Sequence, residues 1–149
     1  MTLTIGDILG KKLESIEEMS SVQEAAKKMK EENVSSLVVV DNQNKPQGIV
    51  TERDIVRKAC INDTNTSAVT LREIMSSPLI TIDSNESASK AVDMMLQHNV
   101  RHLLVVDKKN NDNNDSKPIG MITPLDLRGE EYKDEELKDF IEELSAYYR

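Results

Sequence analysis

The sequence contains very few cysteine, histidine and aromatic residues. Its 149 residues include one cysteine, Cys60, two histidines, three tyrosines, one phenylalanine and no tryptophan. A single cysteine can form neither an internal disulfide nor a metal site with several thiolates, so we expect a reducing, cytoplasmic environment. Two histidines and no serine in a nucleophile-elbow setting leave little from which to build a catalytic triad or a metal cluster. We therefore expect no enzyme activity, no catalytic residue and no metal site.

Long hydrophobic runs and an excess of positive charge are also missing. The longest uninterrupted apolar runs are Leu37–Val40 and Leu103–Val106, far shorter than the roughly 20 residues that a membrane-spanning helix needs. The start of the chain has no basic segment followed by an apolar stretch, so we expect no targeting signal and no membrane partner. The formal net charge of −8 would repel nucleic acid, which we exclude as a partner.

The sequence does contain an internal repeat. Residues 5–41 align with residues 71–107 without a gap, and residues 48–54 (GIVTERD) align with residues 120–126 (GMITPLD). The identical pairs include Ile16 with Ile82, Ser21 with Ser87, Met29 with Met95 and Asp41 with Asp107. An Asn- and Asp-rich stretch at 109–116 lengthens only the second copy and is predicted to be a solvated hairpin extension.

Each copy, predicted at 1–66 and 67–129, has the pattern of a small unit of strands and helices. In the first copy, apolar residues at helical spacing predict a helix whose buried face is formed by Val22, Ala25, Ala26 and Met29. A β-branched strand, a second strand that begins at the glycine and a second helix follow, so the predicted order is β-α-β-β-α. Because a sheet of two or three strands with one exposed apolar face is not stable alone, we predict an α+β fold in which two pseudo-twofold-related repeats pack sheet to sheet.

The last segment, at 130–149, differs from the repeats. It holds all four aromatic side chains, and its apolar residues are spaced as on one face of a helix, at Leu137, Phe140, Ile141 and Leu144. We predict a C-terminal amphipathic helix that packs on the body of the protein or on a partner subunit. A helix that docks on another protein is the alternative.

A threonine and an aspartate recur at the same place in both copies, as Thr51-x-x-Asp54 and Thr123-x-x-Asp126. Such a pair ahead of an apolar helix is close to a capping box. Capping alone does not require the same residues twice, because serine, asparagine or glutamate would serve as well. A glycine ahead of the helix would let a ligand approach the backbone, and the aspartate could accept hydrogen bonds from the two hydroxyls of a ribose. Capping and ligand recognition both remain open interpretations of these residues.

With this motif, the two copies resemble tandem cystathionine-β-synthase (CBS) domains, the pair called a Bateman module, in its stand-alone form. The resemblance covers most of residues 5–128 and includes the glycine, two apolar residues, threonine and aspartate of the motif in both copies. It implies that the cleft between the repeats binds an adenine nucleotide (AMP, ADP or ATP), with the aspartate on the ribose and the threonine on ribose or phosphate. It also implies a disc-like homodimer and a regulatory, energy-sensing role that a separate effector protein reads.

The residues expected to face the phosphates differ between the copies. Arg101 and His102 stand at the start of a strand where the first copy has Ser35 and Ser36. An arginine is always charged and offers several donors to a phosphate. By the same resemblance, Arg53 reaches across the pseudo-twofold axis to this phosphate.

The resemblance therefore implies one strong and one weak nucleotide site. The strong site is formed by Thr123, Asp126, Arg101, His102 and Arg53, with the adenine ring near Ile80, Ile122 and Thr81. The weak site is formed by Thr51, Asp54 and Ser35. Mg²⁺ would accompany the ligand if the ligand is ATP. Two alternatives stay open: a dimerisation or adaptor module that binds no ligand, and a module that binds an adenosyl ligand such as S-adenosylmethionine.

Overall fold

A computed structural model describes residues 3–9, 13–77, 79–107 and 117–127, together with Asp139, Glu142 and Glu143. These last three residues are helical and exposed. The predicted hairpin extension at 109–116 and the apolar stripe of the predicted tail helix lie outside the described residues.

The described elements are helices of 3 to 11 residues and strands of 3 to 6 residues. The helices are α1 (Ile5–Ile8), α2 (Val22–Glu32), α3 (Glu52–Asp54), α4 (Leu71–Ile74) and α5 (Ala88–His98), and α3 continues into a π-helical segment at Ile55–Cys60. The strands are β1 (Ser15–Glu17), β2 (Ser36–Val40), β3 (Pro46–Thr51), β4 (Thr81–Asp83), β5 (Leu103–Asp107) and β6 (Lys117–Ile122). The predicted order of strand, helix, strand, strand and helix is confirmed in the first copy. In the second copy it is confirmed as far as β6, after which residues 124–127 form a turn.

The six strands form two three-stranded sheets, ordered β1-β2-β3 and β4-β5-β6. In each sheet the first strand runs parallel to the second, and the second runs antiparallel to the third. The registers also correspond, because Val39 pairs with Gly48 in one sheet and Val105 pairs with Gly120 in the other. The two copies therefore share one topology, and the predicted α+β fold is confirmed.

The two long helices begin and end with equivalent capping residues. At the start of α2, the Glu24 amide donates to Ser21 Oγ at 3.1 Å, and the Ser21 amide donates to Glu24 Oε2 at 3.1 Å. Ser87 accepts the corresponding bond from the Lys90 amide at 3.1 Å. Both helices end at an asparagine in the left-handed conformation, Asn33 with φ 54° and Asn99 with φ 52°. Asparagine tolerates this conformation better than most residues other than glycine.

The buried face of α2 is narrower than the sequence pattern predicts. Val22, Ala25 and Met29 are buried, whereas Ala26 is exposed. A helix that packs against one sheet buries a single stripe, and Ala26 lies one position beyond it. In α5 the buried residues are Ala91, Val92 and Met95.

The described residues group into two compact units that do not coincide with the sequence repeats. One unit is formed by Leu13–Leu79, and the other by residues 3–9 together with residues 80–107 and 117–127. The short helix α1 thus belongs to the unit of the second copy, where the Ile5 amide donates to the Glu86 carbonyl at 2.9 Å and the side chain is buried beside Ile82. In the same way, α4 packs into the unit of the first copy, where Leu71 is buried. The boundaries at 66 and 129 stay predictions about the repeat, as does the packing of one sheet on the other.

Candidate functional site

The first motif forms the predicted cap at the junction of β3 and α3. The Thr51 amide and hydroxyl donate to Asp54 Oδ2 at 3.0 and 3.1 Å, and the Asp54 amide donates back to Thr51 Oγ1 at 3.1 Å. Asp54 is buried, with 9% of the residue exposed. The capping interpretation of the first motif is therefore confirmed.

The second motif holds its aspartate in a similar way. The Thr123 amide and hydroxyl both donate to Asp126 Oδ2 at 2.9 Å. The Asp126 amide donates to the Thr123 carbonyl at 3.1 Å, and the next residue, Leu127, is fully buried in the core. Asp126 itself is half-buried. The Asp126 carboxylate is thus held through Oδ2 alone. It lies just after the end of β6 and next to the buried residue Leu127.

The second oxygen of Asp54 has two further donors, which the sequence did not predict. Lys58 Nζ lies 3.2 Å from Asp54 Oδ1, and Ser76 Oγ donates to the same oxygen at 3.2 Å. Lys58 also donates to the Ile74 carbonyl at 3.0 Å and to Ser76 Oγ at 3.3 Å. The i,i+4 spacing of Asp54 and Lys58 is a sequence signal that could have indicated this pair. The spacing of 22 residues between Asp54 and Ser76 gives no such signal.

Ser76 is held beside the motif by a two-bond bridge to β3. The Ile49 amide donates to the Ser76 carbonyl at 3.0 Å, and the Ser76 amide donates to the Ile49 carbonyl at 2.9 Å. A Cβ on Gly48 would lie 2.7 Å from the Ser76 carbonyl oxygen and 2.9 Å from Met75 Sδ.

The motif glycines consequently serve chain packing. In the second copy a Cβ on Gly120 would lie 2.9 Å from Leu9 Cδ2. The segments that follow α4 and α1 therefore pass over the two equivalent glycines. The protein itself fills the space where a Cβ would stand at each glycine. The hypothesis that the glycines let a ligand approach the backbone stays a prediction.

Residues at the start of the second strand lie at the same end of each sheet as the motif. The Glu52 amide donates to the carbonyl of the exposed Ser35 at 3.0 Å, so Ser35 adjoins the first motif. In the second sheet, Leu103 pairs with Ile122, and the half-buried Arg101 and His102 immediately precede Leu103. Since Thr123 immediately follows Ile122, the antiparallel pairing places the two basic residues and Thr123 at one end of that sheet.

The three residues predicted to contact adenine differ in their access to a ligand. Ile122 is fully buried in the core of its unit and shows no exposed surface to a ligand, which argues against its predicted contact. The Ile80 carbonyl accepts a hydrogen bond from the Leu104 amide at 3.0 Å, and the Ile80 side chain packs partly against the same core. Thr81 is exposed at the start of β4. Of the three, Thr81 presents the most surface to solvent.

Arg53 lies on α3, in the compact unit formed by Leu13–Leu79, and is half-buried. Its approach to a phosphate beside Asp126 stays a prediction.

Within the described part of the chain, no three His, Cys, Asp or Glu residues come together as a possible metal site. The helices among the described residues include none that has the length and apolar character to cross a membrane.

The chain is similar to a family model, to a protein of known sequence and to solved structures. The family model described as CBS domain matches residues 5–60 and 71–132. An uncharacterised protein of Methanopyrus kandleri, MK0525, is 33% identical over 148 residues, which cover 96% of this chain and 72% of that protein.

Two solved structures are similar over nearly the whole chain. The CBS domain protein TA0289 of Thermoplasma acidophilum has a TM-score of 0.79 at 20% identity, over 98% of this chain and 78% of that one. The CBS domain protein PAE2072 of Pyrobaculum aerophilum, crystallised with AMP, has a TM-score of 0.73 at 25% identity, over 97% of this chain and 99% of that one.

Proposed function

Because the chain belongs to the CBS domain family, we propose that it binds an adenine nucleotide at the Thr123–Asp126 turn and reports the bound state to a separate partner protein. The observation that carries the proposal is the geometry of this turn. Both Thr123 donors reach Oδ2 of Asp126, at 2.9 Å, so the carboxylate is oriented by one oxygen. A carboxylate has about four acceptor positions, and those of Oδ1 suit the two hydroxyls of a ribose.

The surrounding charge supports a phosphorylated ligand. Arg101 and His102 lie at the same end of the sheet as Thr123, and Arg101 carries a permanent positive charge in a chain whose net charge is −8. Charge-assisted bonds from arginine to phosphate are among the stronger hydrogen bonds in proteins. The similarity to PAE2072, a protein crystallised with AMP, agrees with this ligand class. Arg53 is proposed as a further phosphate contact.

Binding should be measured by calorimetric titration with AMP, ADP, ATP with Mg²⁺, S-adenosylmethionine and adenosine. We expect Asp126→Asn to weaken AMP binding by about 10- to 100-fold, because hydrogen bonds to a charged carboxylate contribute about 1.5–3 kcal/mol. Arg101→Ala should weaken AMP binding much more than adenosine binding, since adenosine has no phosphate.

Glu31→Gln is the matched control for loss of one negative charge, because Glu31 is exposed on α2. If none of the ligands binds the wild-type protein, the nucleotide proposal is wrong and a ligand-independent adaptor role takes its place. If S-adenosylmethionine alone binds, the ligand class changes but the role of Asp126 at the ribose does not. A homodimer of the disc type remains part of the proposal.

A further inference from the structure

We infer that Lys58 and Ser76 block the first motif by occupying the oxygen of Asp54 that a ribose would need, so that these two residues set the number of nucleotides bound per chain. The inference rests on the proposed function, since it concerns the equivalent aspartate in the other copy. From the sequence alone, we attribute the weakness of the first site to missing phosphate contacts. From the structure, we attribute it to side chains that occupy the ribose-binding oxygen of Asp54.

The acceptor positions of Asp54 are filled by the protein. Oδ2 accepts from the amide and the hydroxyl of Thr51, at 3.0 and 3.1 Å, and Oδ1 accepts from Ser76 and Lys58, both at 3.2 Å. A carboxylate offers about four acceptor positions, so none is left for a ribose hydroxyl. The hydroxyl of Ser76 and the ammonium of Lys58 thus stand where two ribose hydroxyls would donate.

Lys58 and Ser76 are themselves held in place. The Lys58 ammonium has three donors, and its partners are Asp54 Oδ1, the Ile74 carbonyl at 3.0 Å and Ser76 Oγ at 3.3 Å. The bridge between Ser76 and Ile49 fixes the backbone on which the hydroxyl stands. The Lys58 side chain is 44% exposed. Its ammonium is nevertheless held by hydrogen bonds to the end of α4 and to Ser76 and by the ion pair with Asp54.

Neither residue is repeated at the equivalent sequence position. The alignment of residues 5–41 with 71–107 places Gly10 opposite Ser76, and the alignment of residues 48–54 with 120–126, when continued, places Glu130 opposite Lys58. Among the residues that the structure describes, the donors to the Asp126 carboxylate are the amide and hydroxyl of Thr123, and both reach Oδ2. The motif is repeated, while the two side chains that fill Oδ1 are present only once.

The test is to replace both residues and count bound AMP per chain by equilibrium dialysis. In Lys58→Met/Ser76→Gly, methionine keeps the apolar stem of the lysine, and glycine reproduces the residue of the other copy. We expect the wild-type chain to bind one AMP and the double variant to bind two, with affinity at the first motif raised on the order of tenfold or more. Lys28→Met is the matched control, because Lys28 pairs with Glu14 at 3.9 Å and donates to the Ser15 carbonyl in the same unit.

The identity of the gained site is checked with 2′-deoxyadenosine monophosphate. The gained site should discriminate against this ligand at least about tenfold, because one of the two hydroxyls that replace Lys58 and Ser76 is missing. A gained site that binds both ligands equally well would not involve Asp54 Oδ1 and would overturn the inference. The single variants Lys58→Met and Ser76→Gly provide the same measurement if the double variant fails to fold.

The outcomes for the two proposals are distinguishable. A wild-type chain that binds no AMP contradicts the proposed function, whatever the variant does. A double variant that binds no more AMP than the wild type contradicts the inference, whatever the wild type does. In an Asp126→Asn background the gained site should persist, since it depends on Asp54, and its loss there would also contradict the inference.

Discussion

At the residue scale, Gly48 lies where β3 and the segment after α4 pack closely together in the first compact unit. A Cβ there would lie 2.7 Å from the carbonyl oxygen of Ser76, which is fixed by its bridge to Ile49. The neighbour of Gly120 is the flexible end of the Leu9 side chain. A Cβ on Gly120 would lie 2.9 Å from Leu9 Cδ2. A side chain can rotate away, whereas a bridged backbone must shift as a segment.

We therefore expect Gly48→Ala to destabilise the protein by about 1–3 kcal/mol, the usual range for overpacking, and Gly120→Ala to cost clearly less. The free energy of unfolding of the two variants, measured by urea titration, checks this difference. Gly48→Ala should also weaken the hold on Ser76. Equal losses for the two variants would mean that the segment at Met75 and Ser76 yields as readily as a leucine side chain.

The difference between the two aspartates belongs to the same scale. Sequence comparison predicts the motif, its capping role and the uneven distribution of basic residues. It does not predict that Ser76 reaches Asp54, because that contact depends on how the segment after α4 crosses β3. The apolar pair of the motif also does not reveal that Ile122 is buried in the core, because the place of a residue in the motif does not determine its burial.

At the element scale, the two long helices follow from local sequence, whereas the packing of the short helices α1 and α4 does not. The apolar spacing predicts α2 and α5, and the β-branched runs predict β2 and β5. By contrast, α1 lies at the start of the first copy in sequence but packs in the unit of the second. No local pattern specifies this exchange, because the same apolar residues could pack in either of two equivalent units.

The cap of α1 gives a pH-dependent contribution to stability. Hydrogen bonds from the Thr4 amide at 2.9 Å and from the Thr4 hydroxyl at 3.0 Å hold the pKa of Asp7 below its usual range. A carboxyl whose pKa is lower in the folded state stabilises that state at pH values above its unfolded pKa, about 3.9. This contribution is lost as the pH falls through the lower folded pKa.

We expect Asp7→Asn to remove this part of the pH dependence. The difference in unfolding free energy between wild type and variant should be present at pH 7 and shrink progressively below about pH 4. Denaturant titrations across this pH range measure it, with Glu31→Gln as a control on the exposed face of α2. A difference that stays constant with pH would show that the Asp7 charge does not act through the cap.

At the scale of the whole molecule, α1 and α4 are exchanged between the two copies. A fragment cut at the boundary of the sequence repeat would therefore lack part of its core. Residues 1–66 lack Leu71 and Ile74, which lie in the core of the first unit, and residues from 67 onward lack Ile5, which lies in the core of the second. Each copy therefore completes its core with a helix that the sequence assigns to the other. The stability of each unit therefore depends on residues from both copies.

This coupling predicts how nucleotide binding is reported by heat unfolding of the full chain. At an AMP concentration of about one hundred times Kd, binding should stabilise the native state by about 2.7 kcal/mol. For a chain of this size, that corresponds to a rise in Tm of about 5–10 °C. Asp126→Asn should remove about half of the rise or more at the same AMP concentration, because a roughly 10- to 100-fold weaker site is less saturated. Lys58→Met/Ser76→Gly should increase the rise, because a second bound nucleotide adds its own stabilisation. A rise of equal size in the wild type and in Asp126→Asn would place the bound AMP elsewhere than at the second motif.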